Sequence, residues 1–219
     1  MTYIELVNAV MRRLRESEVS TVQGAGNSNS YARLIGDFVN EAKDQVVASW
    51  DWSSLKYTMR VTTTPGVFSY ELNGTGNMFK LLDVLNDTSD ILMLEKSSSW
   101  FNREYLLAEP QQGPPVFYNF NGTSNDRDTL IDVYPIPDAE YNINFNIKLG
   151  EVPLVADTDE LYVPSRPVIL LATAMAIEER GEDGGQQSAN AYGAYRTALA
   201  DEIAFDAARS PESTIWYSV

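Results

Sequence analysis

The apolar residues of this chain change period twice, and that constrains the fold more than any single motif. Near the start, Tyr3, Leu6, Val7, Val10, Met11 and Leu14 fall at offsets 0, 3, 4, 7, 8 and 11, with Glu5, Asn8, Arg12, Arg13 and Arg15 on the other side. That spacing predicts an amphipathic helix. Tyr31, Leu34, Ile35, Phe38, Val39, Ala42, Val46 and Trp50 predict a second, with Asp37, Asn40, Lys43 and Asp44 off the apolar face. From about residue 56 to 164 the period drops to two. The strand signals are KYTMRVTT, GVFSYEL, MFKLLDVLN, DILMLEK, PVFYNFN, TLIDVYP and YNINFNIKL, separated by turn formers such as Pro65-Gly66, Asn73-Gly74 and Asn121-Gly122. Helical spacing then returns. Helices from the two ends can meet only if the intervening strands loop out and come back. The expected fold is α+β: a helical bundle from 1–54 and 165–209, an inserted antiparallel β-sheet or barrel domain over 55–164, and an extended tail over 210–219.

Local signals refine this outline. Thr2 with Glu5 three residues on forms a capping box for the first helix. Pro167 suits a helical first turn, Ile169, Leu170, Ala172, Thr173, Ala176 and Ile177 form a stripe, and Gly181 stops that helix. Tyr192, Tyr195, Leu199, Ile203 and Ala207 mark one side of a last helix, about 186 to 208. Within the β region, SSSWFNREYLLAE has helical offsets and predicts a short helix on the sheet. Pro135 and Pro137 remove two backbone donors, which places their hairpin at a sheet edge. Trp50 and Trp52, where the helix hands over to the sheet, suit a plug between layers.

Composition removes whole classes of chemistry. There is no cysteine and no histidine, so disulfides, thiolate nucleophiles, Cys/His zinc sites and histidine-based triads are excluded. No catalytic residue, cofactor or metal is expected, and the chain is expected not to be an enzyme. With 31 acids against 16 Lys and Arg, the net charge of −15 opposes any general grip on nucleic acid. The same charge suits solubility, or an acidic wall that DNA passes without sticking. No signal-peptide pattern and no uninterrupted run of 18 apolar residues is present, so a soluble, cytoplasmically made chain is expected. The glycines of STVQGAGNSNS lack a following Gly-Lys-Ser/Thr and read as a connector. Asp157 with Asp159 and Glu160, and Asp126 with Asp128 and Asp132, match no EF-hand spacing and are expected to be solvated loop acids.

The segment SPESTIWYSV is the least comfortable part of the chain in water. Burying its four apolar side chains returns about 1.5 to 3 kcal/mol each, whereas ordering its backbone costs about 1 to 2 kcal/mol per residue. Burial alone hardly balances ordering. The segment then either stays loosely packed on its own domain or gains main-chain hydrogen bonds as an added strand or in a partner's groove.

Taken in order, TYIELVNAVMRRLRE, FVNEAKDQVVASWDWSSLK, IDVYPIPDAEYNINFNIKLGEVPL and DTDELYVPSRPVILLATAMAIEERGED resemble the head-to-tail adaptor (connector) proteins of tailed bacteriophages, including the tail tubular A type. The resemblance implies a structural virion protein, assembled in the host bacterial cytoplasm. It implies a homo-oligomeric ring, usually dodecameric, between the portal protein and a tail nozzle or tube protein. The genome would pass through its channel without sequence-specific binding, and no membrane is involved. It also implies that the C-terminal segment reaches the portal; the apolar tip makes Ile215, Trp216, Tyr217 and Val219 the expected docking residues. A tail-completion or tube subunit is the nearest alternative. A β-rich glycan-binding module, suggested by the many Tyr and Trp, is an alternative of another class.

Overall fold

The computed structural model describes residues 1–22, 30–75, 79–107, 109–181 and 185–209. The chain divides into two compact units: Met1–Leu55 together with Glu151–Val219, and Lys56–Gly150.

The first unit is helical. α1 (Tyr3–Arg13), α2 (Ser30–Ser49), α4 (Ser165–Arg180) and α5 (Gln186–Ala207) pack around one core, while α3 (Ser98–Asn102) belongs to the second unit. α1 starts where Thr2 N–H donates to the Glu5 carboxylate at 2.9 Å. It buries Tyr3, Leu6, Val7, Val10 and Met11. α4 buries residues almost all the way round, from Pro167 to Ala176, because it touches α1, α2 and α5. Its alanines let those helices come close, and Gly181, at φ 63°, ends it in the left-handed conformation that glycine adopts without strain. α5 sets Tyr192, Tyr195, Leu199 and Ile203 against the core and leaves Ala207 exposed.

The buried face of α2 is rotated from the one that hydropathy predicts. Ala32, Gly36 and Lys43 are buried, whereas Tyr31, Leu34 and Phe38 are only partly so. Close approach explains the glycine: a Cβ at Gly36 would run into the Tyr3 hydroxyl and touch Val22 at 3.0 Å. Lys43, expected on the solvent face, is fully buried. Its ammonium donates to the backbone carbonyls of Glu151 at 3.0 Å and Val152 at 2.8 Å, with Asp44 at 3.1 Å. One turn earlier, Asn40 exchanges two hydrogen bonds with the backbone of Leu154, at 3.0 and 2.8 Å. α2 thus fastens the returning chain, whose Leu154, Leu161 and Val163 enter the helical core.

All seven strand signals in the second unit form strands, but they make two sheets rather than a single sheet or a barrel. β1 (Lys56–Thr62), β8 (Asn142–Leu149), β3 (Phe79–Asn86) and β4 (Ile91–Leu92) make one sheet in that order. β2 (Ser69–Leu72), β7 (Thr129–Tyr134), β6 (Phe117–Thr123) and β5 (Leu94–Glu95) make the other. The two sheets share a core that includes Leu72, Val84, Ile131, Val133, Ile143, Phe145 and Ile147, and the described strands close no barrel. Pairing is antiparallel except between β5 and β6. A parallel pair needs a long crossover. Here the crossover carries α3 and the π turn Arg103–Leu107, where the sequence predicted a short helix.

The proline hairpin is the clearest correction to the sequence reading. β7 and β8 do not pair; each lies inside its own sheet, so Pro135 and Pro137 sit where the chain leaves one sheet for the other. A residue without a backbone donor ends a ladder as readily as it guards an edge. Main-chain bonds elsewhere support this crossing, with Gly66 N–H on the Pro137 carbonyl at 2.8 Å and Ile136 N–H on that of Gln111 at 2.9 Å. Among the described residues no helix is long and apolar enough to cross a membrane.

Candidate interaction surfaces

The expected docking residues Ile215, Trp216, Tyr217 and Val219 lie outside the described residues. Two surfaces stand out among those described, one in each unit.

The first is built around the two tryptophans. Trp52 is buried in the core of the helical unit and its indole N–H donates to the Val46 carbonyl at 2.7 Å. Trp50 is 38% exposed and donates instead to Asp206 near the end of α5, at 3.1 Å. Ser53 donates to the same carboxylate through its backbone N–H at 3.1 Å and its hydroxyl at 2.5 Å. Burial pushes the Asp206 pKa up, but these hydrogen bonds outweigh it and hold the group below the ordinary aspartate range. Beside this clamp is a groove of ≈ 240 Å³ with Trp52, Tyr162, Pro164 and Phe205 in its walls and Glu202 and Arg209 also lining it. Tyr162 and Phe205 are each 65% exposed. Exposed aromatic rings beside a concave wall suit an apolar partner segment.

The second surface is a polar sheet face. Lys56, Lys148 and Lys80 are register partners across β1, β8 and β3. Two rungs on from Lys148, Asn146 accepts from Thr58 at 2.5 Å and donates to Asp83 at 2.6 Å. Beyond these, Arg60 donates to Asn144 at 3.0 Å and to Asp87 at 3.3 Å, and Thr62 donates to Asn142 at 3.0 Å. Lys80 and Lys148 also have other interactions within the chain. Like charges directly opposite one another cost stability; here Lys148 is buried, and Asp83 and Asp87 share the face, Asp87 paired with Arg60 at 3.3 Å. Overall charge concealed this face. The signal was the alternation of Asn142, Asn144, Asn146 and Lys148 with apolar residues, the mark of a strand with one polar face.

Asp126 and Glu160 are exposed, as expected of solvated loop acids, but the other members of the two clusters are tied into the fold. Asp157 accepts the Val22 N–H at 2.9 Å, and Asp159 accepts those of Val155 and Ala156 at 2.7 Å each, so these acids organise the loop that α1 packs on. Asp128 accepts the Gly74 N–H at 2.9 Å. Asp132 is buried within β7, and burial raises its pKa against the lowering effect of bonds from Ser69 and Asn121. Among the described residues no group of three or more acids is placed to hold a metal ion.

The described residues thus offer an apolar groove and a polar sheet face, and no cluster of acids placed for a metal. The chain matches the family described as SU10 adaptor protein over residues 1–215, and it belongs to that family. This agrees with the likeness to phage head-to-tail adaptors seen in the sequence. No curated protein matches the chain.

Proposed function

We propose that this protein is the head-to-tail adaptor of a tailed bacteriophage. Copies close into a ring, dodecameric as in the adaptors it resembles, which joins the portal to the nozzle or tube protein of the tail. The ring encloses part of the channel through which the genome leaves, and it has no enzymatic role. The observation that carries this reading is the adaptor-family match across nearly the whole chain. The two units divide the work: the helical unit forms the ring and the head contact, and the β unit meets the tail.

The portal contact is the segment containing Ile215, Trp216, Tyr217 and Val219, whose apolar side chains need a surface to cover. Removing residues 211–219 is expected to abolish attachment to portal-bearing capsids, scored by cosedimentation and electron microscopy. The circular dichroism of the free protein should keep its helical signal, because these residues lie beyond α5. Normal attachment by the shortened chain would sink this assignment.

A further inference from the structure

The groove of the helical unit has a feature that bears on what fills it. Arg209, the last described residue before the Ile-Trp-Tyr segment, is part of its lining. The described chain thus ends at the groove. Trp216 is seven residues further on, a reach of at most about 25 Å at 3.3 to 3.6 Å per residue. Pro211 disfavours continuation of α5 and suits a turn. The chemistry of the walls also matches: Tyr162, Pro164 and Phe205 offer apolar contact, and the Asp206 carboxylate is already engaged by Ser53 and Trp50. The groove has no need of a cationic ligand. At ≈ 240 Å³ it holds one or two side chains rather than a small-molecule substrate, whose pockets run from about 300 to 1,000 Å³.

We propose that in the free protein this groove receives the chain's own Ile215–Tyr217 segment, with an aromatic side chain of that segment seated against Phe205 and Tyr162. A short tether raises the local concentration of the segment to the millimolar range, so even a weak contact is populated. A contact of this kind is easily displaced by a larger partner surface. The groove thereby keeps the aromatic segment covered until a docking partner competes for it. This goes beyond the proposed portal role and is measured without a portal.

The chain has no cysteine, so introduced pairs report without background. Full-length protein carrying Glu202→Cys and Ser218→Cys is compared with Asn190→Cys and Ser218→Cys, Asn190 being exposed about 18 Å away along α5. Under a mild oxidant at low protein concentration, the first pair should close an intramolecular disulfide at least tenfold faster than the second. Adding Phe205→Asp should remove that advantage; Phe205 is exposed, so folding survives, as circular dichroism would verify. Equal rates for the two pairs, or persistence of the advantage with Phe205→Asp, would overturn the proposal. So would disulfides formed only between chains, which would make the groove a site for a second copy.

Discussion

Gly36 and Lys43 occupy the same face of α2 and show two ways in which a side chain is decided by its neighbours. At Gly36 the absence of a Cβ lets the Tyr3 ring reach the helix backbone. Gly36→Ala would normally favour a helix by about 1 kcal/mol. Here the overpacking cost, about 1 to 3 kcal/mol, should win, and a lower midpoint in urea denaturation would register it. A stabilised variant would mean that Tyr3 moves aside freely. Lys43 is buried because two backbone carbonyls and a neighbouring carboxylate replace the water its ammonium gives up. Glu151, whose carbonyl is one of those two, has its own carboxyl pushed up by burial, partly offset by the Tyr162 N–H and by Lys43. Hydropathy assigns lysine to solvent and cannot see these partners.

Asp206 is where an element depends on one side chain. It ties the last turn of α5 to the segment that follows α2, with three donors converging on one carboxylate. Because its folded pKa lies below the unfolded value of about 3.9, its stabilisation is present above that value and is lost as pH falls through the lower folded one. Asp206→Ala should therefore cost about 1 kcal/mol at pH 7, less than the roughly 1.5 to 3 kcal/mol of charge-assisted bonds because the site is partly solvated. The difference from wild type should shrink towards pH 3. Thermal melts followed by circular dichroism at both pH values would measure it, and a constant difference would contradict the linkage. The strands give the complementary lesson. Their existence was legible from period-two alternation, as was the helix on the β5–β6 crossover. Their partners were not, because alternation tells each strand which face to bury but not which strand lies beside it.

For the whole molecule, the net charge is a poor guide to local surface. A channel lined by acids is the expected arrangement for a wall that DNA must slide past. Against that background one sheet face of the β unit carries Lys56, Arg60, Lys80 and a buried Lys148 beside Asp83 and Asp87. In the proposed ring we expect Asp and Glu to line the bore and this lysine-bearing face to lie elsewhere. A cryo-electron microscopy map would test this by residue assignment, and a neutral or basic bore would defeat it.

The sequence by itself determined the alternation of helical and strand periods along the chain, the start of α1 and the stop of α4, the absence of cysteine and histidine chemistry, and the adaptor likeness. These follow from contacts within one or two turns, from composition, or from the order of segments, all of which are written along the chain. Only the tertiary structure decided that the strands form two sheets, that Pro135 and Pro137 mark a crossing between them, that Lys43 is buried, and that Trp50 and Asp206 meet beside a groove. Each of these depends on partners distant in sequence, and their burial and hydrogen bonds exist only after the chain has brought them together.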